Sequence, residues 1–271
     1  MLIQDVAGIV EEYAPLSAGV AGDELGLLVG DPTAEVTGVV TCWSPTLAVL
    51  QEAAEGGANL ILGHEPLTYQ VCGRDPEANL KWYEERHPTA KAPNQKRLSF
   101  VFAKGLTVYR YHSNWDWAPR YGMVDRLADI LELGTSCGGD RVAPVYVIRP
   151  TTVLELAERA QGKLGTGPLR LIGEPDRLVT RVALCQGGFG QIFTVPEVAA
   201  DAGAEFVFFG EMLDYTIRYC VEADLAAVEL GHFASEQPGM VGMAEFLRER
   251  LPDSLPVRCL SSGEPWTCLA G

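Results

Sequence analysis

The sequence predicts an α/β fold with two lobes and mostly parallel sheets. Short apolar strand-like runs alternate with helix-like segments, and one strand–loop–helix–strand pattern occurs twice along the chain. The 271 residues suffice for one large or two modest domains, and a hydrophobic content of 47% is that of an ordinary globular protein. We expect a first lobe of residues 1–125 and 226–271, and a second lobe of residues 126–225.

The first copy of the pattern is a βαβ unit over residues 37–62. The run TGVVTC favours a strand, and Ser44 and Pro45 then offer an N-cap and a first-turn proline for a helix. Two glycines end this helix, and the continuous apolar run ANLIL follows as a strand covered on both faces. His64 and Glu65 come directly after that strand.

The second copy begins with the strand TRVALC (180–185). A glycine-rich loop, GGFGQ (187–191), precedes the helix-like TVPEVAADAG, and the strand AEFVFF (204–209) ends at Gly210-Glu211. The glycine-rich loop has two interpretations: its backbone N–H groups could cradle a phosphate, or it is simply a turn.

The remaining segments continue the alternation. The strand LTVYRYH (106–112) precedes an amphipathic helix over 120–131, and the strand DLAAVEL (224–230) precedes another helix-like run. Residues 70–98 are polar and contain several prolines, so we interpret them as an excursion from the sheet that could form an active-site lid.

Three of the four histidines directly follow an apolar strand, and each has a carboxylate close behind it. The pairs are His64 with Glu65, His112 with Asp116, and His232 with Glu236. Open α/β sheets place ligand sites outside the carboxyl ends of their strands, and imidazole with carboxylate suits divalent first-row metals. We therefore predict that these residues form one site for two divalent metal ions.

These residues also have structural interpretations. A strand-end histidine is often only hydrogen-bonded, Glu236 could favour a helix N-terminus, and Asp116 could cap a turn. The i,i+4 spacing of the last two pairs suits one helix face. Strand-end loops are favoured instead, by Ser113 or Asn114 as a turn residue in the first stretch and by the breakers Gly231, Pro238 and Gly239 in the second. His87 has no comparable setting and is interpreted as a surface residue.

Composition excludes several classes of protein. The net charge of −15 opposes non-specific binding to nucleic acid, and no apolar run approaches the roughly 18 residues of a membrane span. The N-terminal segment has acidic residues where a signal peptide needs basic ones, and the seven cysteines are scattered without a CxxC pair. We expect a cytoplasmic protein with reduced thiols.

Several segments resemble the NIF-three-like family, whose members are dinuclear metal-centre proteins often named GTP cyclohydrolase I type 2. They are DELGLLVGDP, GHEPLTY, YRYHSNWD, GAEFVFFGEM and GHFASE, and they occur in the family's order over nearly the whole chain. The resemblance implies a two-lobed α/β chain with its metal site at strand C-terminal ends between the lobes. It also implies a toroidal homohexamer with the metal sites facing the interior.

Carried over by position, the resemblance makes His64, Asp116, His232 and Glu236 metal ligands, with Glu236 the bridge. His112 lies at the site either as a ligand or as an outer-shell group. The family's usual second histidine is Glu65 here, and this carboxylate should favour manganese or iron relative to zinc. The usual threonine after His112 is also replaced, by Ser113.

The metal site and the resemblance together suggest a metal-dependent hydrolase, either GTP cyclohydrolase I type 2-like or a phosphoester hydrolase. Two cations would lower the pKa of a bridging water, and Glu65 or His112 could move protons. The expected ligand is a nucleotide or another phosphoester. The alternative from another class is a non-enzymatic metal-binding ring that acts as a scaffold or regulator.

Overall fold

The computed structural model describes residues 1–69, 92–191 and 194–268. The chain forms two compact units, and each contains one sheet, which confirms an α/β fold with two sheets. The first unit comprises Met1–Trp115 and Met243–Ser262, and the second comprises Asp116–Gly242 and Gly263–Gly271. The expected division at residues 125 and 226 differs from these boundaries, and His232 and Glu236 belong to the second unit.

The first unit contains a sheet that is five-stranded within the described residues, in the order β1-β4-β3-β2-β11. The strands are β1 (Gly26–Val29), β2 (Val39–Cys42), β3 (Leu60–Gly63), β4 (Thr107–Arg110) and β11 (Val257–Leu260). Among the described strands, β1 pairs antiparallel with β4, and the pairings β4-β3, β3-β2 and β2-β11 are parallel. The helices with this sheet are α1 (Ile3–Tyr13), α2 (Leu47–Glu55) and α3 (Ala92–Lys104).

The βαβ unit predicted from the sequence consists of β2, α2 and β3. Every residue of both strands is buried, as expected for parallel strands covered on both faces. The helix starts later than predicted, because Thr46 rather than Ser44 is its N-cap and accepts a hydrogen bond from the Val49 N–H. Gly56 ends the helix, as the glycine pair predicted.

The second unit contains a sheet that is six-stranded within the described residues, in the order β5-β6-β8-β9-β10-β7. Its strands are β5 (Gly138–Asp140), β6 (Ala143–Thr152), β7 (Arg170–Ile172), β8 (Leu178–Cys185), β9 (Phe206–Phe209) and β10 (Ala226–Glu229). The neighbours β8, β9 and β10 are parallel, and the outer strands join antiparallel. The predicted parallel character therefore applies to the centre of this sheet.

The described residues of the second unit contain five helices, and the last of them continues after Gly242 into residues of the first unit. The helices are α5 (Met123–Ile130), α6 (Val153–Leu164), α7 (Thr194–Asp201), α8 (Asp214–Glu222) and α9 (His232–Arg248), and a single helical turn, α4 (Ser113–Asp116), precedes them where the chain enters this unit. A capping box begins α6, because Thr152 accepts from the Glu155 N–H while the Glu155 carboxylate accepts from the Thr152 N–H.

Both faces of the second sheet are buried in apolar clusters. Successive residues of β9 alternate between the clusters, since Phe206 and Phe208 pack on one face and Val207 and Phe209 on the other. Cys185 belongs to the second cluster, and its burial raises the pKa of the thiol well above its usual value. The described cysteines are free thiols, of which Cys42, Cys185 and Cys220 are buried and Cys137 and Cys268 are exposed.

Much of the predicted excursion over residues 70–98 lies outside the described part of the chain. This applies to residues 70–91, including His87, whereas residues 92–98 form the first part of α3. Among the helices that the structure describes, none has both the length and the apolarity of a bilayer-spanning segment.

Candidate metal centre

In the first unit, the ends of β3 and β4 bring two histidines together. These strands are parallel neighbours, with Gly63 opposite Arg110, so the residues after them leave the same edge of the sheet. The rings of His64 and His112 lie 4.6 Å apart between centroids. Together with Glu65 they offer ligand atoms that all lie within 4.8 Å of one another.

Each of these two histidines has one ring nitrogen held by an oxygen. His64 is fully buried, and its Nδ1 lies 3.2 Å from the carbonyl oxygen of Tyr111. His112 is partly exposed, and its Nδ1 lies 2.8 Å from Oδ2 of Asp23. Since both Nδ1 atoms already have acceptors, Nε2 is the nitrogen that each ring offers to a metal ion.

Asp23 also lies at this site, although the strand-end pattern of the sequence does not indicate it. Its carboxylate accepts from Arg110 Nη1 at 2.7 Å and from both the N–H and the hydroxyl of Ser113. Burial would raise the pKa of Asp23, but hydrogen bonds from His112 and Ser113 hold it well below the usual value. The sequence feature that could have indicated Asp23 is the segment DELGLLVGDP, which begins with this aspartate and is one of the segments that resemble the family.

Asp116 is the last residue of α4, at the point where the chain passes into the second unit. Its side chain is buried, and the turn starts directly after His112, whose carbonyl accepts from the Trp115 N–H at 2.8 Å. Trp115 is fully buried against Tyr13 and Phe246, so it packs this turn. A buried carboxylate is stable in a protein when it is hydrogen-bonded, paired or bound to a metal.

In the second unit, His232 and Glu236 lie on α9, not in a strand-end loop. The prediction of a loop was wrong, because Pro238 lies inside the helix without ending it. The i,i+4 spacing places both side chains on one face, with His232 Nε2 3.0 Å from Glu236 Oε2. Glu211, which follows β9, lies on the other side of the ring, with Oε2 3.2 Å from His232 Nδ1.

Two glycines make room for this pair. Gly187 has φ +58°, and a Cβ built there would overlap Glu236 Oε1 and lie 3.2 Å from His232 Nε2. A Cβ on Gly210 would lie 2.7 Å from the hydroxyl of Ser235, which accepts from the Gly187 N–H. The loop after β8, interpreted from sequence as a phosphate cradle or a turn, therefore packs against the start of α9.

The electrostatics of the second unit favour an ionised carboxylate beside His232. The hydrogen bond from His232 is the largest cause that lowers the pKa of Glu211, and burial opposes it. Gln191 also donates to this carboxylate. Imidazole nitrogen and carboxylate oxygen are donors for divalent first-row metals, so the residues in each unit fit such ions.

The family model described as Duf34/NIF3 (NGG1p interacting factor 3) matches residues 1–265. The chain belongs to the DUF34/NIF3 family. This confirms the resemblance recognised in the sequence segments.

Among the curated relatives, a "GTP cyclohydrolase 1 type 2 homolog" of Clostridium perfringens is 28% identical over 262 residues and covers 93% of both chains. A protein of the same name from Escherichia coli K12 is 28% identical, covering 89% of this chain and 87% of its own.

Solved structures show the same fold. A Bacillus cereus protein related to NIF3 superposes with a TM-score of 0.82 at 16% identity and covers 99% of each chain. Reduced HcgD from Methanocaldococcus jannaschii gives a TM-score of 0.77 at 20% identity, covering 96% of this chain and 98% of its own. At these identities the superpositions support the DUF34/NIF3 fold alone.

Proposed function

We propose that this DUF34/NIF3 protein binds two divalent metal ions and acts as a metal-dependent hydrolase. The proposed ligands are His64, Glu65, His112, Asp116, His232 and Glu236. The observation that carries the proposal is the group of two imidazoles and one carboxylate in the first unit, whose ligand atoms lie within 4.8 Å of one another. The pair of His232 and Glu236 on one face of α9 adds donors of the same chemistry.

The donor set favours manganese or iron over zinc. Three of the proposed ligands are carboxylates, and hard oxygen donors suit manganese and iron better than they suit zinc. Glu65 contributes to this preference, since a histidine is the commoner residue at its position in the family resemblance. Glu236 would be a ligand beside His232 on the same helix face, and its role as the bridging carboxylate is what the family resemblance implies.

Two divalent cations would supply Lewis acidity, which lowers the pKa of water and polarises an ester, amide or phosphoryl group. We assign proton transfer to Glu65 rather than to His112. The Nδ1–H of His112 is held by Asp23 and its Nε2 is the proposed ligand atom, so neither nitrogen is available to exchange a proton with a substrate. The Glu65 carboxylate is partly exposed and can bind through one oxygen while the other accepts a proton.

The proposed substrate is a nucleotide or another phosphoester. The curated relatives are named as homologues of GTP cyclohydrolase 1 type 2, which supports hydrolytic ring opening of a purine nucleotide as one reaction to test. Phosphoester cleavage suits the same pair of cations. Turnover of GTP and of a simple aryl phosphate should therefore be measured side by side.

The decisive experiment is elemental analysis of protein purified without chelators or a histidine tag. We expect about two metal ions per chain, and loss of both in Asp116→Ala/Glu236→Ala, with unchanged circular dichroism as the control for folding. Metal that is bound without turnover of either substrate would favour the non-enzymatic scaffold. A chain without metal after loading with manganese, iron and zinc in turn would refute the proposal.

We further propose that the protein assembles as a homohexamer in the cytoplasm. Large apolar side chains on both units support self-association, since Phe102, Tyr215 and Val221 are each 65–68% exposed. The free thiols of the described cysteines suit a reducing compartment. Light scattering coupled to size exclusion should give six times the chain mass of 29.3 kDa.

A further inference from the structure

The three candidate histidines share one feature that their spacing in the sequence does not explain. In each ring, Nδ1 faces an oxygen acceptor: the Tyr111 carbonyl for His64, the Asp23 carboxylate for His112 and the Glu211 carboxylate for His232. A neutral imidazole carries one proton, and an acceptor at Nδ1 keeps that proton there. His64 and His112 therefore present Nε2 as the lone-pair nitrogen, whereas His232 has the Glu236 carboxylate at Nε2, on the side where a metal ion would bind both residues.

The two carboxylates that hold these rings come from distant segments. Asp23 lies 89 residues before His112 and enters from the loop preceding β1, whereas Glu211 follows β9 in the second unit. Each carboxylate residue is in turn held by further hydrogen bonds. Arg110 and Ser113 hold Asp23, and Gln191 donates to Glu211, whose backbone N–H is bound by the Gly187 carbonyl at 2.8 Å.

Resting on the proposed metal function, we infer that Asp23 and Glu211 are positioning residues for the metal ligands. Each holds one histidine in the tautomer and ring orientation that direct Nε2 towards a cation, His112 in the first unit and His232 in the second. A carboxylate that accepts a hydrogen bond from Nδ1–H of a histidine also makes the imidazole more basic, and this strengthens metal binding at Nε2.

The two carboxylates differ in how firmly they are held. The side chain of Asp23 is 12% exposed and accepts from three donors besides His112, whereas that of Glu211 is 40% exposed. A buried carboxylate with fixed donors restricts the ring more than an exposed one does. Loss of Asp23 should therefore affect metal affinity more strongly than loss of Glu211.

The test compares Asp23→Asn with the matched control Asp31→Asn. Asp31 lies in the same N-terminal segment, and its carboxylate is hydrogen-bonded to Thr33 rather than to a histidine. We expect Asp23→Asn to weaken binding of one of two manganese ions by about 10–100-fold in competition with a chelator, and the control to bind as wild type. Wild-type affinity in a folded Asp23→Asn variant would overturn the inference.

A second readout is independent of metal. Magic-angle-spinning NMR of the metal-free protein labelled with nitrogen-15 histidine reports the tautomer of each of the four rings, which single histidine-to-glutamine variants assign. We expect His112 to be protonated at Nδ1 in the wild type and to become a mixture of tautomers in Asp23→Asn. An unchanged His112 spectrum in that variant would contradict the positioning role, even if the protein bound no metal.

Glu211→Gln provides the same test in the second unit if Asp23→Asn does not fold. Its matched control is Glu197→Gln, an exposed glutamate on α7. We expect a changed tautomer of His232 and a smaller loss of manganese affinity in Glu211→Gln alone. Absence of metal in the wild type would refute the proposed function, whereas wild-type spectra in both carboxylate variants would refute the positioning roles.

Discussion

Replacement of Gly187 by alanine tests the geometry of the second unit most directly. With φ at +58°, this residue has a left-handed backbone, which costs a residue with a Cβ about 1–2 kcal/mol. The added methyl would also overlap Glu236 Oε1 and lie 2.7 Å from its Cδ. Moving the carboxylate or the loop should cost a further ~1–3 kcal/mol, so we expect a total loss of about 2–5 kcal/mol.

The neighbouring glycine provides a matched control. A Cβ on Gly188 would meet His232 Cε1 at 3.7 Å and Gln191 Nε2 at 3.8 Å, which are ordinary contacts. We expect Gly188→Ala to change the free energy of unfolding by no more than about 0.5 kcal/mol. Both variants therefore add one methyl group to the same loop, and only one of them displaces a proposed ligand.

The assay is thermal and urea unfolding of both variants, together with manganese binding. Because about 1 kcal/mol shifts Tm by roughly 2–4 °C for a unit of this size, Gly187→Ala should lower Tm by at least about 4 °C. If the variant folds, manganese affinity should fall with the displacement of Glu236. Equal stability and equal affinity in the two variants would refute the proposed packing of the loop against α9.

Three further variants test contacts elsewhere in the fold. Glu205→Gln should lose about 1–3 kcal/mol at pH 7 in urea titrations, because the carboxylate accepts from the Thr180 N–H, the Thr180 hydroxyl and the Arg181 N–H. These bonds lower the pKa of Glu205, so its stabilisation is present above pH ~4.3 and lost as the pH falls through the folded pKa. Thr152→Ala should cost about 1 kcal/mol by removing the capping box of α6, and Thr152→Ser should retain most of the stability. Arg97→Lys should increase proteolysis near residues 67–69, because the buried guanidinium donates to the Leu67 carbonyl at 2.9 Å and to the Tyr69 hydroxyl at 2.7 Å.

The sheets were predictable because their strands are short, apolar and buried on both faces. In β3 and β9 every residue is buried, so a continuous apolar run is the expected pattern. Helix-like segments separate such runs, and this alternation was sufficient to indicate an α/β fold. The start of α2 was predicted less well, because Ser44 and Thr46 are both good N-caps and only the structure shows that Thr46 bonds the Val49 N–H.

The start of α9 was mispredicted because its glycines and proline were interpreted as helix breakers. Pro238 lacks an N–H, yet the helix continues through it. A Cβ on Gly239 would lie within 3.0 Å of Met123, and one on Gly242 would meet the Tyr121 backbone. These glycines thus allow close packing of the helix, and their cost in helix propensity is offset by tertiary contacts.

The placement of the proposed ligands was predictable in part, because each follows a strand or lies one helical turn from a residue that does. The residues that hold the ligand histidines were not predictable. Asp23 lies 89 positions from His112, and Tyr111 bonds the ring of His64 through its backbone carbonyl. Every residue has a backbone carbonyl, so an acceptor of this kind cannot be recognised from the identity of the side chain. For the carboxylates, residue type alone does not distinguish a positioning role from a solvated surface charge.

Within the first unit, the supports of the two histidines are joined through one side chain. Arg110 donates from Nη1 to Asp23, which holds the ring of His112, and from Nε to the backbone carbonyl of His64 at 3.0 Å. Because Arg110 is buried, loss of either partner leaves a charge with fewer hydrogen bonds in a poorly solvated place. The placement of the two rings is therefore coupled, and the effects of Asp23→Asn and Arg110→Lys on manganese affinity should not be additive. In the second unit, His232 has its own carboxylate on Glu211, so Glu211→Gln and Gly187→Ala should act on that ring without changing the tautomer of His112.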